Sequence, residues 1–321
     1  MKLFSEKFPD IHTQAEFDAF ATKLPEYDTG YLFQAAVLER RNVREWLEKI
    51  WQQYEPYADS NFLKELKTRF TERVWELYLG ATILNRGFSL GKHNDQLPDF
   101  DVRIGNNGKR AAWIEAISVN KGTGVDRVPN MRYGVSIGLP EDEMSLRITQ
   151  ALKDKYDQYR TRITNGIVKA NEPYIIATDS SDLDHPEVLP LILRVAYGIG
   201  SLTLRLPMPI LGEKRNYNRA DSFYQRKKVI SKKNGEMVSS MFFLDPAHAG
   251  ISAVIYSRQG ILNVPRAYHE LGESFLIAHN PLTMNPVIGL FPFGEEYMGD
   301  ESGARTIRPR KEYMRPDAFK D

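Results

Sequence analysis

Apolar positions in the first part of the chain recur every three to four residues. Phe17, Phe20 and Leu24 mark one stretch, and Leu38, Val43, Trp46, Leu47 and Ile50 another, so residues 13–56 read as helical. The sharpest periodicity follows. In "NFLKELKTRFTERVWELYLGATILNRG" the stripe Leu63, Leu66, Phe70, Val74, Leu77, Ala81, Leu84 predicts one helix over 61–86, opened by Ser60 or Asn61 and closed by Gly87. The period then changes. Residues 99–104 and 111–119 read as strands around the turn-forming "GNNGKR", 120–142 as a Gly/Pro-rich loop and 143–165 as a helix. A short buried strand at 173–179 and a helix at 186–198 complete this stretch. Beyond 199 the pattern is strands and loops. "VISKKNGEMV" predicts a hairpin around Asn234-Gly235, and "SMFFLD" and "ISAVIYS" predict further strands.

The order from 61 to 198 (helix, strands, helix, strand, helix) predicts an α/β (α+β) fold: a mixed central sheet flanked by helices. Residues 1–60 form an N-terminal helical region on this reading, 61–198 the core, and 199–321 a β-rich extension. No internal repeat or low-complexity linker interrupts the chain.

Composition narrows the chemistry. A chain of 321 residues that is 42% hydrophobic can build a substantial core. With 43 basic and 42 acidic residues there is no global field, so any binding to a polyanion must use a local patch. The absence of cysteine excludes disulfides, thiolate zinc sites and cysteine nucleophiles. "MKLFSEKFPDIHTQAEF" lacks the apolar core of a signal peptide, and no stretch approaches the roughly 18 apolar residues of a membrane span, so a soluble cytoplasmic protein is expected.

A few acids stand where apolar residues belong. Glu76 is the only charged residue in "VWELYLGATIL" (74–84), and a carboxylate buried there needs a cation or hydrogen-bond partners. An ion pair with Arg69, Arg73 or a distant arginine would meet that need. Asp99 and Asp101 share one strand face, because side chains alternate. Pro98 suits the first position of a strand. Glu115 is the one acid in "AAWIEAIS", where a salt bridge would again account for it. Together they say more. Adjacent strands can bring Asp99 and Glu115 to one end of a hairpin, and the preceding helix can add Glu76. Three oxygen ligands would suit Mg²⁺ or Mn²⁺ better than zinc.

Glu76 on a helix, Pro98-Asp99 at a strand and Glu115 in the next strand resemble the PD-(D/E)xK nuclease superfamily, the restriction-endonuclease-like fold. The resemblance covers the 61–198 core. It implies that Asp99 and Glu115 are metal ligands, with a backbone carbonyl near Ile117 as a further oxygen. Glu76 would bind a second metal or hold a metal-bound water. The implied cofactor is Mg²⁺, with Mn²⁺ possible, and the implied partner is DNA, double-stranded, cut by hydrolysis of its phosphodiester bonds. The family pattern puts a lysine two residues after the second acid, where this chain has Ile117. Lys121 and Lys155 are the available replacements. Ile148, Leu152, Lys155 and Tyr159 fall on one helical stripe, so Lys155 should face the sheet while Lys153 points elsewhere. Some members supply the lysine from the following helix, and this chain resembles that variant; the other use of such a lysine is to snorkel to water. Arg147 and Gln150 are secondary candidates for phosphate or water contacts.

The expected protein is therefore a Mg²⁺-dependent endodeoxyribonuclease, a restriction or phage-defence enzyme, possible as a homodimer through its terminal regions. The lost lysine leaves a catalytically inactive nucleic-acid-binding protein of the same fold as the alternative. The balanced charge leaves a metal-dependent phosphohydrolase of a small molecule as another. Arg226, Lys227, Lys228, Lys232 and Lys233 surround the predicted hairpin and are candidate DNA-phosphate contacts, or else solvated guards of a strand edge. "GEKRNYNR" (212–219) adds cations nearby, and "GARTIRPRKEYMRPD" (303–317) reads as an exposed arm. His279 is either a general base or a satisfied structural residue, and the six histidines, His93 among them, show no metal-ligand spacing.

Overall fold

The computed structural model describes all residues except 93–95, 106–107, 132–137, 188, 206–220, 261–262, 265, 301–302 and 309–321. Its helices are α1 (Gln14–Ala21), α2 (Thr29–Ala36), α3 (Arg41–Tyr54), α4 (Phe62–Leu66), α5 (Phe70–Asn85), α6 (Glu141–Thr164) and α7 (Leu191–Tyr197). Its strands are β1 (Phe88–Leu90), β2 (Phe100–Ile104), β3 (Arg110–Ser118), β4 (Tyr174–Asp179), β5 (Ile199–Arg205), β6 (Asp221–Arg226), β7 (Val229–Ser231), β8 (Met237–Ser239), β9 (Ala253–Ser257), β10 (Leu276–His279), β11 (Glu295–Gly299) and β12 (Ala304–Arg308).

Local chemistry sets several boundaries. Thr13 and Glu16 form a reciprocal capping box at the start of α1. Asp28 accepts the Gly30 and Tyr31 amides to open α2. The helix expected over 61–86 is instead broken. The Lys67 carbonyl accepts the Asp28 amide at 2.7 Å, and Arg69 leaves helical geometry at φ −140°, ψ 53°, so α4 and α5 are separate helices. A tertiary bond, not a Gly or Pro, makes that break. α7 is shorter than the 186–198 expected, because Pro190 disfavours helical backbone at the residue before it. Gly198 stops it in the left-handed region at φ +68°.

Eight strands form one mixed sheet in the order β1-β2-β3-β4-β9-β10-β11-β12. β1, β2 and β3 run antiparallel, and α6 carries the chain over to β4, which pairs parallel with β3. β4 then pairs parallel with β9. One face, with Phe100, Val102, Ile114, Ile175 and Ile255, packs on α5 and the N-terminal helices. The opposite face, with Trp113, Tyr174, Ile176 and Val254, packs on α6 and α7. The expected mixed sheet flanked by helices is thus present. The boundary expected at 198/199 runs through it, since four of its strands come from each side.

β7 and β8 make the predicted hairpin around Asn234-Gly235. "SMFFLD" is not a strand. Phe242 and Phe243 are consecutive and both buried, which an alternating strand with one solvated face does not allow, and they form a 3₁₀ turn beside α7. The start of the expected C-terminal arm is β12, the edge partner of β11. The basic run at 212–219, the arm beyond 308 and His93 lie outside the described residues.

Candidate active site

The sequence-predicted acids converge where β3 ends between α5 and α6. A cleft of about 440 Å³ is lined there by Arg73 and Glu76 from α5, Asp99 from just before β2, Ile117 and Ser118 from β3, and Lys155 from α6. Glu115 lies just beneath, 3% exposed and on the sheet face toward α6. Asp99 precedes β2, and its Oδ2 accepts the Ala116 amide at 2.7 Å, which ties the acid to the end of β3. Glu76 is fixed from two sides. The Tyr54 hydroxyl donates to its Oε1 at 2.7 Å, and Arg73 Nη1 to its Oε2 at 2.6 Å. Tyr54 approaches so closely because Gly80, on α5, has no side chain in the way.

Lys155 takes the direction its stripe predicts. Its Nζ donates to Glu115 Oε1 at 2.9 Å, and also to Gln158 at 3.3 Å. Arg162 donates to the other carboxylate oxygen, to the Tyr174 hydroxyl at 2.8 Å and to the Leu97 carbonyl at 3.1 Å. Arg162, Tyr174, Tyr54 and Arg73 complete the site. Arg162 had a signal in the sequence, for it continues the Lys155–Tyr159 stripe three residues on. Tyr54 had none, because it comes from a separate helix.

Charge crowds at Asp99. Burial, with Glu115 and Glu76 nearby, pushes its carboxyl up to about 8, against the pull of Lys155 and the Ala116 amide. Burial also raises Glu76 above the ordinary carboxylate range, although Arg73 and Tyr54 oppose this. Asp99 still keeps some surface open to the cleft. Its oxygens are hard donors beside two further carboxylates, the donor type a Mg²⁺-class ion takes. Two of the three carboxylates are nevertheless committed: Glu76 to Arg73 and Tyr54, Glu115 to Lys155 and Arg162. Among the described residues no group of three or more acidic or histidine side chains stands ready-made to hold a metal.

The remaining candidates sort themselves. Lys121 turns away to Asn130 at 3.3 Å and Asp184 at 3.7 Å, so it does not share Glu115. Asp101 is taken up by Arg103 and Arg110, each at 2.6 Å, which hold its carboxyl below the ordinary range after outweighing burial. Arg147 and Gln150 do line the cleft. Arg147 donates to the Asn120 carbonyl and side chain at 3.0 Å. Lys153 points elsewhere, into a neighbouring depression.

In the basic hairpin region, Lys227 pairs with Asp142, Lys232 with Glu236 at 2.8 Å and Lys233 with Glu143 at 3.2 Å. Arg226 donates to the Tyr197 and Asp300 carbonyls, and Lys228 is exposed. Most of these cations are therefore locally balanced. His279 is buried against Glu296 at 3.1 Å, between β10 and β11. It does not line the cleft.

No protein-family model matches this chain, and neither a curated protein nor a solved structure does. No helix among the described residues is long and apolar enough to cross a membrane.

Proposed function

We propose that the chain is a divalent-metal-dependent endodeoxyribonuclease with a restriction-endonuclease-like core, its lysine supplied by α6. The observation that carries this reading is the contact of Lys155 with Glu115 at the floor of a cleft that also holds Asp99 and Glu76. The element order α5, three antiparallel strands, α6 and a parallel strand supports it. Asp99 and Glu115 would hold the ion, which supplies charge neutralisation at the phosphate and an acidified water. Lys155 orients the attacking water and offsets negative charge on the phosphate. Glu76, steadied by Tyr54 and Arg73, would hold a water or a second ion. Arg162 keeps Glu115 fixed under the cleft. Arg147 and Gln150 lie where they can meet the DNA backbone. A restriction or phage-defence role follows from the fold analogy alone.

One observation favours a second reading. Glu115 is saturated by Lys155 and Arg162, as a purely structural ion pair would be, and a non-catalytic DNA-binding protein of the same fold would keep such a pair. Cleavage of supercoiled plasmid and linear phage DNA with Mg²⁺, Mn²⁺ or EDTA separates the two. Wild type, Glu115→Gln and Lys155→Ala are compared, with thermal melts confirming that the variants fold. Metal-dependent cutting lost in both variants is expected. Metal-independent DNA binding without cutting would favour the second reading.

A further inference from the structure

Three hollows adjoin the cleft, and they differ in charge. Behind α5, at the carboxyl ends of β4 and β9, a cavity of about 630 Å³ is lined by Asp179, Asp182, Asp184 and Glu187. A polyanion leaving the cleft is repelled there. Between α6 and the β7–β8 hairpin, a small depression sets Lys153 and Lys232 against Asp126 and Glu236, and Lys232 is already paired with Glu236 at 2.8 Å. The third hollow is shallow. Among the described residues, Lys121, Arg127 and Arg147 line it against one acid, Asp182. Arg147 also lines the cleft and the depression beside the hairpin, so it stands at the junction of all three.

These cations are little used inside the molecule. Among the described residues, neither Arg127 nor Arg147 has an acid partner: the Arg127 side chain donates to Asn130 at 3.5 Å, and Arg147 to Asn120. Lys121 reaches the same Asn130 oxygen at 3.3 Å, and Asp184 at 3.7 Å. Arg147 is nevertheless fixed. Its Nε and Nη2 donate to the Asn120 carbonyl and side chain, each at 3.0 Å, and neither bond involves Nη1. Gly122, at φ +74°, passes so close that a Cβ there would lie 2.8 Å from Nε. A guanidinium held in place beforehand loses little freedom when it meets a ligand.

The 120–130 loop that carries Lys121 and Arg127 is held as well. Val128 is fully buried, and its amide donates to the Lys121 carbonyl at 3.0 Å. Asp126 accepts the Lys233 amide from the hairpin turn at 2.8 Å, and His185 bonds the Pro129 carbonyl at 2.7 Å. Fixed cations with little acid of their own, running on from a cleft, suit a ligand whose negative charges repeat along its length. The arginine fork suits phosphate in particular. We propose that the DNA strand held in the cleft leaves it over Arg147 and along the 120–130 loop, with successive phosphates against Arg147, Arg127 and Lys121. That this strand is the one cut rests on the nuclease reading; the phosphate contacts do not, since a DNA-binding protein of the same fold would use the same track.

The test uses the full chain in EDTA, where metal-dependent cutting is absent, and a short fluorescein-labelled duplex read by anisotropy. Arg147→Gln, Arg127→Gln and Lys121→Gln are measured beside wild type from about 50 to 200 mM salt, with melting curves to confirm folding. Lys49→Gln, at an exposed cation of α3 that lines none of these hollows, is the control. Each track variant should bind about fivefold more weakly at roughly 0.15 M salt, and its plot of log affinity against log salt should be shallower by about one. Track variants that bind as Lys49→Gln does overturn the proposal, and so does poly-glutamate that displaces the labelled duplex as well as unlabelled duplex does. The two readings fail separately. Absence of cutting in Mg²⁺ with these losses intact would remove the nuclease and keep the track, whereas cutting by a protein whose track variants bind unchanged would remove the track alone.

Discussion

Asp99→Asn should stabilise this protein at alkaline pH, although it removes a residue of the proposed active site. The folded carboxyl is pushed from 3.8 up to about 8. Between those values the folded chain holds a proton that the unfolded chain has lost, so wild-type stability declines as pH rises through that window and the full penalty stands above it. A displacement of about four pH units corresponds to at most ~6 kcal/mol. Water at the open side of the cleft reduces this, and ~2–4 kcal/mol is the working figure. Asparagine keeps an oxygen for the Ala116 amide and carries no charge. At ~2 cal/mol/K per residue, the 321 residues give an unfolding entropy near ~0.7 kcal/mol/K, so the gain is about 3–6 °C in Tm. The assay is a metal-free thermal melt of both proteins at pH 5 and at pH 9. The variant's lead over wild type should be small at pH 5, where only about one pH unit of the window has been crossed, and much larger at pH 9, and Mg²⁺ at pH 9 should raise wild type more than the variant. Equal or lower stability of Asp99→Asn at pH 9 would refute the claim that like charge crowds this position.

Three further outcomes are expected. Lys155→Met should lower plasmid cleavage about 100-fold or more, with only a small loss of stability because Arg162 still pairs with Glu115. Asp101→Asn should cost ~1–3 kcal/mol in urea unfolding at pH 7, through loss of its partners Arg103 and Arg110. Because the folded Asp101 carboxyl lies below 3.8, that contribution is present above this value and fades in stronger acid, where the two proteins should converge. Gly80→Ala would put a methyl 2.5 Å from the Tyr54 ring and 3.1 Å from Phe100. It should lower stability by ~1–3 kcal/mol in a thermal melt and displace the hydroxyl that holds Glu76.

The chain's own pattern determined much of this. The β2–β3 pair, the α6 stripe and the buried β4 were legible because period two and period 3.6 are local properties of a sequence. An acid inside an apolar run was enough to single out Glu76 and Glu115, since burying a charge demands an explanation. Lys155 could be chosen over Lys153 because helical spacing fixes which side chains share a face. What bonds those acids was decided elsewhere. Tyr54 reaches Glu76 from another helix, across a gap left by Gly80, and Arg162 and Tyr174 meet Glu115 only after α6 crosses the sheet. The break between α4 and α5 depends on a hydrogen bond from Asp28, 39 residues before its acceptor Lys67. The C-terminal strands joined the main sheet, although their sequence read as a separate extension, because strand pairing is a long-range choice. The cavity behind α5 has the same origin: its walls come from α2, α3, α5 and the ends of β4 and β9, and no single stretch of sequence contains it.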